Sequence, residues 1–260
     1  MFDTHCHLNS DEFVHDLKTV INNARDSGVK RFLVPGLDLE SSRKAVEIVE
    51  NFKGVYAAIG IHPTQDLENI NITDALYKLT DLANSNVKVV AIGEVGLDYF
   101  RYQAGEFMQK EFFVSQIKLA TKLNKALIIH NRHATDDIIK SIESVGSNSI
   151  NGRAVFHCCP PEKDVLEYAI ANNIFIGVDG DVTYDDTKKE FVKDIPLDLL
   201  VLETDSPYLT PYPTRSVKKY PNEPANLKYI AQCVGEIKNI NSDDLVHICT
   251  SNANKLFDLD

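Results

Sequence analysis

Eight short apolar runs rich in β-branched residues recur along the chain: "MFDTHCH", "RFLVPG", "VYAAIGIH", "VVAIGEVG", "ALIIH", "AVFHC", "FIGVDG" and "LLVLETD". Their lengths and flanking Gly and Pro residues read as strands. Between them apolar residues recur at helical spacing, as at Phe13, Leu17, Val20 and Ala24, or at Phe113, Ile117 and Ala120. Strands that alternate with helices pair in parallel, because each helix carries the chain back to the end where the next strand must start. Eight such units predict a TIM (β/α)8 barrel, read as one domain over residues 1–260; a doubly wound sheet is the competing arrangement. No linker rich in Pro, Gly and Ser divides the chain, and "PYLTPYPTRSVKKYPNEP", with five prolines from Pro207 to Pro224, reads as a loop over the barrel mouth.

Charge narrows the function. Lys and Arg total 27 against 38 Asp and Glu, a net charge of −11, which excludes binding of nucleic acid through a broad basic surface. Any phosphate contact must be local. The start, MFDTHCH, lacks the basic and apolar stretches of a secretory signal, so a cytoplasmic protein is expected. Five cysteines without a CxxC pair fit free thiols in a reducing compartment. No apolar run is long enough to span a bilayer, and no P-loop, GxSxG, HExxH or GxGxxG motif is present.

The polar residues are informative by position. His5 and His7 fall at the end of the first run, His62 after the third, Glu94 at the end of the fourth, His130 of the fifth, His157 of the sixth and Asp205 of the eighth. In a barrel these ends converge on one mouth. Strand periodicity puts His5 and His7 on one face with Cys6 opposite. Imidazole and carboxylate together suit Zn²⁺, Mn²⁺ or a related ion better than Mg²⁺ alone. Six candidate ligands exceed the three or four of a single catalytic zinc, so two divalent ions are expected, with Glu94 of the right type to bridge them. Such a pair activates a water and stabilises the attacking and leaving oxygens of a phosphodiester. With four neutral imidazoles and two carboxylates, two divalent ions leave the mouth at roughly +2, attractive to an anion.

Other residues carry blander readings. His15 and His247 lie in helical patterns and read as ordinary. His62 in "GIHP" reads as a substrate contact rather than a ligand, or as a strand terminator. Cys158 and Cys159 are adjacent, so both cannot face the mouth, and packing is the simpler role. Asp98 and Tyr99 in "GLDYF" serve as loop structure, as support for a ligand, or, for Asp98, as a substrate contact. Glu203 shares the face of Asp205 and reads as a buried carboxylate behind the ligands. Arg132 with His133, and Arg215, Lys218 and Lys219, are placed to reach phosphates, and Tyr99, Phe100, Tyr208 and Tyr212 either stack on bases or pack loops.

The ordered motifs "DTHCH", "GIHP", "IGEVGLDY", "IIHNR", "VFHCC", "IGVDGDVTY", "LETDSPYL" and "NEP" resemble the TatD family of metal-dependent hydrolases, within the wider amidohydrolase-like barrels, over nearly the whole chain. The resemblance implies a TIM barrel with a divalent-metal centre and deoxyribonuclease activity of the 3′-to-5′ exonuclease type. It implies His5, His7, Glu94, His130, His157 and Asp205 as metal ligands, Glu94 bridging, Asp205 positioning or deprotonating the water, and His62 and Arg132 near the substrate. Three stretches depart from the family pattern: "HCCPP" after the sixth strand, a glycine-free segment before "NEP", and Asn131, Arg132 and His133 where Ser, Arg and Asp are usual. The expected substrate is DNA with a single-stranded or frayed 3′ end; neither a membrane nor an obligate protein partner is expected. Two other readings stand beside it: an amidohydrolase or lactonase acting on a small carbonyl substrate, and a non-catalytic, metal-stabilised binding protein.

Overall fold

The computed structural model describes residues 1–101, 104–217 and 220–259. Lys218 and Lys219 therefore lie outside the described residues. Eight parallel strands run in sequential order: β1 (Phe2–Asp3), β2 (Arg31–Pro35), β3 (Val55–Ile59), β4 (Val89–Asp98), β5 (Ala126–Arg132), β6 (Ala154–Phe156), β7 (Phe175–Val178) and β8 (Leu200–Leu202). Helices α1 (Leu17–Asp26), α2 (Leu39–Asn51), α3 (Ile72–Ser85), α4 (Glu106–Leu123), α5 (Thr135–Val145), α6 (Lys163–Ala171) and α7 (Asp186–Asp194) return the chain between strands. α8 (Leu227–Lys238) and α9 (Ser242–Phe257) complete the outer ring. This is the TIM barrel that the alternation predicts. Two apolar clusters fill it. One lies between strands and helices, around Phe32, Ile59, Phe113 and Phe156; the other includes Leu33, Ile128 and Val201 and reaches Phe2 and Phe257.

The barrel closes beyond the ends of its first and last strands. Thr4 N–H donates to Leu202 O, Asp205 N–H to His5 O and His7 N–H to Ser206 O, at 3.1, 2.9 and 2.7 Å, and Cys6 bridges Ser206 in parallel. The run "MFDTHCH" is thus a strand only over Phe2–Asp3, and the histidine pair lies just past it. The reason lies in one side chain. Asp3 turns its carboxylate forward to accept from His5 N–H, Thr204 N–H and the Thr204 hydroxyl. That fixes both chain segments side by side at the mouth.

β4 differs from expectation in another way. It spans ten residues, so Glu94 lies mid-strand rather than at its end. Pairing with β5 shifts between Ile92 and Val95, and Glu94 N–H donates across to Gly36 O at 3.0 Å. The irregularity lifts Glu94 out of the ladder and lets a mid-strand side chain serve the mouth. Beyond it, Gly96 packs so closely on β5 that a Cβ would lie 1.9 Å from His130 O, with φ at +149°. Only glycine permits that approach.

Candidate metal centre

Glu94 is the hub. Its Oε2 lies 3.3 Å from His5 Nε2 and 3.8 Å from His7 Nε2, while its Oε1 lies 2.8 Å from His130 Nδ1, 3.3 Å from His62 Nε2 and 3.7 Å from His157 Nε2. Each carboxylate oxygen therefore faces its own set of imidazoles. Asp205 completes the cluster, with Oδ1 3.4 Å from His7 Nε2 and 3.8 Å from both His5 and His157 Nε2. All six residues expected as ligands come together, and His62 stands among them rather than apart. Ligand-type atoms of His5, His157 and Asp205, of His5, His7 and Glu94, and of His62, Glu94 and His130 form three overlapping groups.

The elements explain the convergence. His5 and His7 lie beyond β1, His62 after β3, Glu94 within β4, His130 within β5, His157 after β6 and Asp205 after β8. Asp205 adopts φ of 49°, in the left-handed region that Asp tolerates better than most residues and that is enriched at functional sites. Behind the cluster, Glu203 Oε1 lies 3.0 Å from His157 Nδ1 and accepts from Cys158 N–H, as expected for a carboxylate orienting a ligand. Asp98, expected also as a substrate contact, is buried and turned inward. Its Oδ2 lies 3.0 Å from His130 Nε2 and its Oδ1 accepts from Phe100 and Arg101 N–H. His62 is held by Thr64, 2.7 Å from its Nδ1.

The electrostatics ask for positive charge. Burial disfavours the ionised form of Glu94, but the imidazoles of His62 and His157 and hydrogen bonds from His130 and His5 hold it well below the usual carboxylate range. Asp205 is likewise lowered against its burial, chiefly by His7 and His157. Burial pushes His5 and His62 down, leaving them neutral with lone pairs to donate. Burial also works against charge on His157, yet Glu203, Glu94 and Asp205 outweigh it and raise it to about 10. Two imidazole nitrogens, His5 Nε2 and His7 Nε2, stand 3.2 Å apart, and the His5 and His157 rings stack at 3.5 Å. Imidazole nitrogens gathered around two carboxylates form a donor set suited to divalent cations of the Zn²⁺ or Mn²⁺ type, an ion taking the place of the proton that His157 otherwise keeps.

Several contributors were not legible as site residues. Asp3 carries its signal only in hindsight, two residues before His5 in "DTHCH" and so on the same face. Asn222 of "NEP" donates to Thr204 O and Tyr208 O, tying the long loop back to the turn that carries Asp205. Cys159 is buried, whereas Cys158 Sγ gathers with carboxylate oxygens of Asp179 and Asp181. Lys188 already supplies positive charge there, 3.3 Å from Asp181 Oδ2. His15 lies exposed in a turn rather than a helix, and His247 is exposed on α9. All five cysteines are free, and among the described residues no helix is long and apolar enough to cross a membrane.

Known proteins are similar to this chain over nearly its whole length. The family model for TatD related DNase matches residues 2–258. An uncharacterized metal-dependent hydrolase of Bacillus subtilis, YabD, is 38% identical over 99% of this chain and 98% of its own length. Human deoxyribonuclease TATDN3 is 29% identical over 99% of this chain and 94% of its own. Among solved structures, the TatD homolog YJJV of Escherichia coli matches with a TM-score of 0.89 and 26% identity, covering 100% of this chain and 98% of that one. With the family model matched over nearly the whole chain and a relative 38% identical along its length, the chain belongs to the TatD family of metal-dependent hydrolases.

Proposed function

We propose that the chain is a deoxyribonuclease that removes nucleotides from single-stranded or frayed 3′ ends of DNA, using two divalent ions held by His5, His7, Glu94, His130, His157 and Asp205. The observation that carries this reading is Glu94, whose two oxygens face separate imidazole sets, the arrangement of a carboxylate shared between two cations. The name of the human relative supports DNA as the substrate. When bound, the ions supply Lewis acidity and water activation.

The chain's own residues do the rest. Asp205 is the carboxylate of the cluster most open to solvent, its side chain 13% exposed against 4% for Glu94 and 1% for Asp98. It is therefore the group placed to take the proton of an attacking water. Asp98 and Glu203 act as positioning residues, fixing the rings of His130 and His157. Arg132, beside the cluster at the end of β5, offers its guanidinium to a phosphate. His62, on the same oxygen of Glu94 as His130, lines the substrate side.

The test is degradation of 3′-labelled and 5′-labelled single-stranded oligonucleotides by metal-stripped protein, with Mg²⁺, Mn²⁺ or Zn²⁺ restored separately and Asp205→Ala alongside. Stepwise, metal-dependent shortening from the 3′ end, absent in the variant, is the expected result. No cleavage under any ion overturns the reading and directs attention to small esters or amides.

A further inference from the structure

The mouth carries a second arrangement that the metal centre does not use. Arg215, in the loop after β8, lays its guanidinium carbon 4.1 Å from the centre of the Tyr184 ring. Tyr212 meets Tyr184 edge to face, with centroids 6.1 Å apart and planes at 88°. Tyr184 lies between β7 and α7, so two mouth loops build this cluster. A hydrogen bond joins them, and each loop is tied to itself beside it. Tyr212 N–H donates to Thr183 Oγ1 at 2.9 Å, that hydroxyl donates to Gly180 O at 2.7 Å, and Arg215 N–H donates to Pro211 O at 2.8 Å. A Cβ on Gly180 would lie 1.9 Å from Leu209 O, so glycine is what lets the loops meet. The cluster lies at the metal-centre end of the barrel: its two loops follow β7 and β8, as His157 follows β6 and Asp205 follows β8.

Chemistry says what such a cluster binds. A guanidinium flat on a ring keeps its N–H edge directed outward, ready for the fork of a phosphate. In a chain of net charge −11, Arg215 has no carboxylate partner among the described residues. Tyr212 is 46% exposed and offers a π-face on which a base stacks. A phosphate beside a planar base is the pairing that each nucleotide of a strand offers. Arg132 makes the matching unit three strands away, 4.1 Å over the exposed Phe100 ring.

We propose that Arg215, Tyr184 and Tyr212 form a nucleotide station that holds the DNA strand beside the scissile bond, Arg215 on a phosphate and Tyr212 on a base. This rests on the deoxyribonuclease reading. A strand held here and at Arg132 lies across the metal centre, and the need for an unstacked base makes the site select single strands over duplex.

The test compares two substrates on the metal-reconstituted full chain: an oligothymidylate of about ten nucleotides and bis(4-nitrophenyl) phosphate, whose single phosphate cannot occupy the metal centre and Arg215 at once. Arg215→Ala and Tyr212→Ala are each expected to lower kcat/KM on the oligonucleotide about tenfold, mostly through KM. That loss should exceed the loss on the small diester at least about fivefold. Arg215→Lys, which keeps charge but not the flat stack, should fall between Arg215→Ala and the unaltered chain. Val87→Ala, exposed on the opposite end of the barrel, should match the unaltered chain on both substrates. Equal losses on the two substrates, or an unchanged KM for the oligonucleotide, overturn the station alone. An unaltered chain that hydrolyses the small diester but leaves the oligonucleotide intact overturns the deoxyribonuclease reading, and the station with it.

Discussion

Replacing Glu94 by alanine removes the one carboxylate that faces five imidazoles. Turnover should fall at least about a hundredfold while circular dichroism stays that of a folded barrel; near-normal turnover would contradict the assignment. Glu203→Ala acts one step back, by freeing His157, and should weaken metal binding about 10–100-fold in a calorimetric titration. A third prediction concerns pH. Burial and the neighbouring Asp179 raise the Asp181 carboxyl to about 8. Its folded form keeps a proton that the unfolded chain loses above its ordinary value of 3.8, so folding takes up a proton between those limits and stability falls as pH rises through them. Asp181→Asn removes that slope, and its melting temperature should gain on the parent chain steadily from about pH 4 to pH 8. A constant difference would refute the shift. At this scale the sequence was legible where position speaks alone: the spacing of His5 and His7, and the placing of His130, His157 and Asp205 after β-branched runs. Partnerships that depend on side chains meeting from distant strands, such as Asp3 with Thr204 or Lys188 with Asp181, have no local signal.

Elements place these residues, and β4 shows how. Its extra length and its shift against β5 bring Glu94 into the mouth from mid-strand, which alternation of apolar residues could not reveal because all ten of its residues are buried. Gly96→Ala forces a Cβ into His130 O. It should destabilise the fold by about 1–3 kcal/mol or more, and it should weaken metal binding as well, since His130 shares Glu94 and Asp98. Unfolding in urea measures the first effect and a metal titration the second. A stable variant with full metal affinity would show that β4 and β5 have slack there. The first strand is shorter than its apolar run because past Asp3 the hydrogen bonds are split, Thr4 and His7 N–H going to Leu202 and Ser206 on the β8 side and Cys6 N–H to Leu33 of β2, a tertiary choice invisible in the run itself.

For the whole molecule, eight alternating units fix a barrel, and the barrel's end brings histidines more than 150 residues apart into ring-stacking contact at His5 and His157. Metal binding then couples to global stability, because the unfolded chain has no such cluster. Adding Mn²⁺ to about a hundred times its dissociation constant should stabilise the fold by about 2.7 kcal/mol for each ion bound. For a chain of this size each ion therefore raises Tm by roughly 5–11 °C. The rise should vanish in Glu94→Ala. The most direct measurement is anomalous diffraction from crystals soaked in Mn²⁺. The account predicts two peaks, one on the Oε2 side of Glu94 with His5 and His7, the other on the Oε1 side with His130. A single peak, or peaks away from Glu94, would contradict a carboxylate shared between two cations.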